Sequence, residues 1–180
     1  NMGLILKNKL EDMSAAISAF NELDHRFPDC EYILETYYNM YLMYMRMGDK
    51  ETAEVYKKRI IDRFPKSDYA IALADPNYLE NLRNMDVMQD SLYNQTYEAY
   101  LANNSTKVHE YYELVSRKYP LSDLMPKFMF LNSLSYIGEK NIEAFQTGLK
   151  ELLEKYPEAD VSPVASGMLK GLAQGRTIAT

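Results

Sequence analysis

The chain has 180 residues, a formal net charge of -6 and 47% hydrophobic residues, too apolar for a disordered acidic tail and too acidic for nonspecific duplex binding, which needs surplus Lys and Arg facing phosphates. A single cysteine, Cys30, excludes an intramolecular disulfide and a Cys-rich zinc site. No apolar run reaches 18 residues, so no segment is expected to insert into a membrane, and residues 1–10 lack the charged start and apolar run of a signal peptide.

An aromatic–proline pair recurs along the chain as Phe27-Pro28, Phe64-Pro65, Tyr119-Pro120 and Tyr156-Pro157, with the prolines 37, 55 and 37 residues apart. Proline lacks the amide donor and clashes with the preceding turn, so each pair stops a helix. Upstream of each stop lie an amphipathic stretch, a Gly or Asn, and another helical stretch. This pattern predicts a series of helical hairpins. The first unit, about 1–30, keeps Gly3, Ala16, Phe20 and Pro28 and lacks most of its first helix. The chain therefore reads as a fragment of a longer protein, with room for a signal or lipid anchor ahead of Asn1. His25 falls near the end of this unit's helix, where a cation suits the dipole.

The second unit, 31–67, is the clearest. It carries Tyr37, Met40 and Tyr44 on its first helix, Gly48-Asp49 at the turn, the small Ala53 where the helices meet, and Pro65 as the stop. The long interval then marks an insertion over 68–88. There Ser67 caps a short helix through Ala74, and Asp75-Pro76 gives an N-cap and a first-position proline opening a long helix over 77–102. The third unit, 89–122, has Leu92, Thr96, Ala99, Asn103, Tyr112 and Pro120 in matching places. Asn103 replaces the turn glycine, because Asn tolerates left-handed backbone, and Val108 replaces the small residue. In the fourth, 123–159, Leu131, Leu134, Gly138, Ala144 and Pro157 give the pattern with one extra residue between Gly138 and Ala144. Ser162-Pro163 starts a last helix, 162–174, which closes the array.

The unit 34–67 resembles the tetratricopeptide repeat in its aromatic, apolar, turn-glycine, small and proline positions, and 89–122 resembles it nearly as well. One departure is Tyr41, which stands where that family has a small residue and predicts locally wider packing. The resemblance implies an all-α fold, a right-handed superhelix of helical hairpins in one domain with a C-terminal capping helix. A narrower likeness lies in Ala16-Ile17, Phe20, Leu23 and Arg26-Phe27-Pro28, and in Gly48-Asp49, Ala53, Tyr56, Arg63-Phe64-Pro65 and Ser67. These resemble the repeats of bacterial outer-membrane assembly lipoproteins. Ala74-Asp75-Pro76-Asn77-Tyr78-Leu79 and Leu124-Met125-Pro126-Lys127-Phe128 look like repeat lipoproteins of gliding motility and type IX secretion. Such proteins are periplasm-facing scaffolds on the outer membrane, which implies a protein-interaction role there.

No catalytic or metal constellation stands out, and neither cofactor nor enzyme activity is expected. His109 and Glu113 are four apart on one helix, but a zincin needs a second histidine at the latter place. Gly167, Gly171 and Gly175 follow no strand and precede no Lys-Ser/Thr, so they read as a close helix contact. Cys30 has no basic neighbour beyond Arg26. The scattered carboxylates, such as Glu151 four residues before Lys155, read as a solvated face.

There are 16 Tyr and 11 Met against no Trp. In the repeat family the first helix of each unit lines a concave groove. Carried onto this chain, the groove residues are Tyr38, Leu42, Met45 and Arg46 in the second unit, Tyr93, Tyr97 and Tyr100 in the third, and Phe128, Asn132 and Tyr136 in the fourth. Such a soft aromatic surface suits a peptide or helix of a partner protein, unless neighbouring helices or the inserted segment fill it. Two other readings stay open. One is a cytosolic adaptor or co-chaperone, for which Arg46 is the only groove cation. The other is an enzyme domain on a helical-repeat frame.

Overall fold

The structure, a computed structural model, describes residues 2–26 and 32–175, with side chains from Ser14 onward. Among the described residues there are nine helices and no strands: α1 (Met2–Arg26), α2 (Ile33–Met47), α3 (Lys50–Arg63), α4 (Asp68–Ala74), α5 (Tyr78–Leu101), α6 (Ser105–Lys118), α7 (Met125–Gly138), α8 (Ile142–Lys155) and α9 (Ser162–Ala173). The stop Phe27-Pro28 and Cys30 lie outside the described residues. The chain divides into two compact units, Asn1–Ala74 and Asp75–Thr180, and the division falls inside the expected insertion.

Three hairpins, α2–α3, α5–α6 and α7–α8, are built by one local recipe. Each first helix is followed by a residue with positive φ: Gly48 at 80°, Asn103 at 53° and Lys140 at 59°. The next residue, Asp49, Asn104 or Asn141, caps the second helix by accepting the amide of Thr52, Lys107 or Ala144 through its side chain. Each second helix ends on an aromatic, Phe64, Tyr119 or Tyr156, whose amide donates to the carbonyl of Ile60, Val115 or Leu152. The following proline then prevents continuation. Within these helices the same places are sealed from water: Ala53, Val108 and Phe145 five residues after the turn, and Ile60, Val115 and Leu152 seven further on.

Gly138, expected as the fourth unit's turn residue, is instead the last residue of α7, and the left-handed residue is Lys140. The turn therefore sits two residues later than the glycine suggested. Measured from Lys140, the last hairpin needs no extra residue, and the buried contact falls on Phe145 and not on Ala144. A lysine in left-handed backbone carries the steric cost that glycine would avoid, which is why the sequence misdirects here. Gly3, likewise, is the second residue of the unbroken α1 and marks no turn.

In the first unit, α2 packs on α3, α4 on α3 and α1 on α2. Asp24 of α1 ties its helix to the hairpin: Tyr37 Oη donates to Asp24 Oδ1 at 2.6 Å, and Arg59 Nη1 donates to Asp24 Oδ2 at 3.2 Å. Tyr56 Oη donates to Asn21 Oδ1 at 3.0 Å. Burial, with the Asp24 hydrogen bond and charge behind it, pushes the Tyr37 phenol above its ordinary range. The insertion consists of α4 and the first turns of α5. Ser67 caps α4 by accepting the Ala70 amide, and Asp75 accepts the Asn77 amide ahead of α5.

In the second unit, α5 packs on α6 and α7, α6 on α7, α7 on α8, and α8 on α9. Its core centres on Leu92, Val115, Phe128, Phe145, Leu149, Leu152 and Ala165. α7 and α8 approach closely at Gly148, where a Cβ would lie 2.3 Å from Ser133 Oγ. α9 opens as α7 does, with proline at the start of the helix and an αR residue before it. Its exposed side is only partly polar, because Val164 and Gly167 face solvent beside Lys170.

Candidate functional site

The ten groove residues separate into three groups. On α2, Tyr38, Leu42 and Met45 are half-buried and Arg46 is exposed. Tyr38 is covered by the chain itself: its ring centroid lies 4.5 Å from that of Tyr69 on α4, and 6.4 Å from that of Tyr41. Burial, followed by the nearby charges of Glu35, Tyr38 and Asp68, raises the Tyr69 phenol above its ordinary range. The inserted helix thus covers part of the α2 surface, the alternative left open for this groove.

On α5, the three expected tyrosines differ in exposure. Tyr93, Tyr97 and Tyr100 recur at helical spacing, so they share one side of the helix. Tyr97 is 45% exposed, Leu101 beside it is 62% exposed, and Tyr93 and Tyr100 are half-buried. About a quarter-turn round the helix from this stripe lie the buried Leu92 and Thr96, with Thr96 Oγ1 donating to the Leu92 carbonyl.

On α7 the three expected residues are misplaced. Phe128 is fully buried in the core and meets Tyr93 edge-on, with centroids 5.5 Å apart. Asn132 and Tyr136 face α6. Asn132 Oδ1 lies 2.6 Å from His109 Nδ1, Tyr136 packs on the His109 ring at 4.5 Å, and Glu139 Oε1 lies 3.2 Å from His109 Nε2. His109 therefore joins α6 to α7. Asn132 and Tyr136 also line a cavity of about 290 Å³ with Tyr112, Met129, Ser133 and Gly148.

The physical reason is the two-residue error at the turn. Two residues turn a helix by about 200°, so the side expected toward the groove is the side turned away from it. With Lys140 as the turn residue, the α7 places matching Tyr93, Tyr97 and Tyr100 are Phe130, Leu134 and Ile137. All three are half-buried apolar side chains. Sequence reasoning missed them, although the 37-residue interval from Pro120 to Pro157 carries the α5 tyrosines onto them directly. The place matching Asp90 is Lys127, whose Nζ lies 3.1 Å from Asp160 Oδ2. The hydrogen bond to Asp160 and its charge hold the Lys127 ammonium above the usual lysine range, with a smaller contribution from Tyr93.

The resulting face on α5 and α7 is aromatic and aliphatic, with few polar groups. Among the described residues no group of three or more His, Cys, Asp or Glu is placed to hold a metal ion, and no helix is long and apolar enough to cross a membrane. No protein-family model matches the chain, and no curated protein matches it.

Proposed function

We propose that this chain is a tetratricopeptide-type helical-repeat scaffold that binds a partner protein or peptide on the α5–α7 face of its second unit. The observation that carries this reading is the tyrosine stripe of α5, on which Tyr97 and the neighbouring Leu101 are open to solvent and Tyr93 and Tyr100 are half-buried, with the half-buried apolar Phe130, Leu134 and Ile137 at the matching places of α7. Tyrosines give large contact area with little rotamer entropy to lose, which favours protein contacts. The repeated turn, cap and proline stop of the three hairpins support the repeat-family reading. The Phe-Pro endings and the residues around Asp75-Pro76 support a place in the bacterial cell envelope, on the periplasmic side of the outer membrane.

Fully burying one large apolar side chain is worth about 1.5–3 kcal/mol. Two or three such anchors, less the ordering cost, reach roughly micromolar affinity when polar contacts contribute as well. The test is capture of partners by the full-length protein from envelope extracts, comparing the parent, Tyr97→Ala/Tyr100→Ala and the α6 control Glu113→Ala. Loss of a discrete partner in the tyrosine variant alone is the expected result. Retention there with loss in the α6 control would move the site to the other side of the unit.

A further inference from the structure

The charge along α5 bears on what occupies this face, and the inference rests on the reading that a partner binds there. At about 100° per residue, Asp86 and Asp90 project along the same stripe of α5 as Tyr93 and Tyr97. Both are exposed, and among the described residues neither has an ion-pair or hydrogen-bond partner. The whole helix carries Glu80, Asp86, Asp90 and Glu98 against a single cation, Arg83. On α7 the cation at the matching place, Lys127, is already taken by Asp160 at 3.1 Å. An apolar face with uncompensated carboxylates at one end repels an acidic segment and complements a basic one. The separation also fits one short segment. From Asp86 to Tyr97 the helix rises about 16 Å, which a helical or extended peptide of modest length spans.

We propose that the occupant of the α5–α7 face is a basic–apolar segment of a partner protein. Its apolar side chains cover Tyr93, Tyr97 and Tyr100, and its Lys or Arg side chains meet Asp86 and Asp90.

The experiment uses the full chain and two fluorescent synthetic peptides, read by anisotropy. One is an amphipathic peptide of Leu, Ala and Lys; its twin has every Lys replaced by Glu. The Lys peptide is expected to bind about tenfold tighter or more, with a strong dependence on salt. Asp86→Asn/Asp90→Asn removes most of that preference. Glu110→Gln/Glu113→Gln, the same charge change among exposed residues of α6, leaves it intact. Tyr97→Ala/Tyr100→Ala weakens binding of the Lys peptide as well. Circular dichroism of each variant excludes unfolding as the cause. A preference that survives Asp86→Asn/Asp90→Asn, or that falls equally in the α6 variant, overturns the proposal. If the tyrosine variant still weakens binding in that case, the face stands and only its charge preference falls. If it binds like the parent, the face itself is wrong.

Discussion

Phe128→Ala is expected to lower the unfolding free energy of the second unit by about 3–5 kcal/mol, the usual cost of emptying a buried aromatic site. Phe128 is fully buried at the centre of the α5–α7–α8 core, and its ring is met edge-on by Tyr93. Removing it costs the transfer of the ring from water and leaves a cavity that the surrounding helices fill only in part. Against a total stability of about 5–15 kcal/mol for an ordinary domain, this is a large fraction. Urea denaturation followed by circular dichroism measures it. Tyr97→Ala in the same experiment is expected to change stability far less, because Tyr97 is 45% exposed. A Phe128 variant as stable as the parent would return Phe128 to the surface and undo the two-residue shift of register.

Ala53→Leu is the second large effect, a loss of about 1–3 kcal/mol from the first unit through overpacking. Ala53 is completely sealed where α3 meets α2. The size of this residue runs inversely with that of the residue seven before the turn. Tyr41 accompanies Ala53, Thr96 accompanies Val108, and Ser133 accompanies Phe145, and all six are buried. By this register Tyr41 is matched with the smallest of the three residues. Tyr41→Thr/Ala53→Val, which copies the pair found in the α5–α6 hairpin, is expected to cost less than the sum of its single changes. Strict additivity would mean that the two places do not share one packing site.

The helical hairpins were legible because their signals are local. A proline stop, a capping Asp or Asn and a left-handed residue each act within a few residues of themselves. The Ser67 cap and the long α5 followed from such signals, but Asp75-Pro76 was misread as the helix start: both precede α5, which begins at Tyr78 behind Asn77, and Asp75 closes the turn ahead of it by accepting the Asn77 amide. The fourth turn was misread because Gly138 looked like the permissive residue while Lys140 takes the left-handed conformation. Glycine allows positive φ but does not compel it. The consequence was confined to α7: Phe128, Asn132 and Tyr136 were expected at the groove, whereas Phe130, Leu134 and Ile137 occupy the matching places. On α5 the register was legible because Asn103 takes the left-handed conformation expected of it. Cover of the groove by the inserted segment was one of the alternatives the sequence left open, but the placing of Tyr69 over Tyr38 depends on how the short α4 returns onto its own hairpin, and no local signal states that.

The α2 and α5 surfaces therefore differ in what they offer a partner. Tyr38 already has a ring packed on it from α4, while the α5 stripe keeps Tyr97 and Leu101 open to solvent. That contrast is the reason the binding face is proposed on the second unit. Site-specific photocrosslinking tests it most directly, with a benzophenone amino acid introduced in turn at Tyr97 on α5, at Glu113 on α6 and at Arg46 on α2 of the full-length protein. The account predicts a discrete crosslinked partner from position 97 and none from positions 113 and 46. A partner crosslinked from position 113 or 46, with position 97 silent, would contradict it.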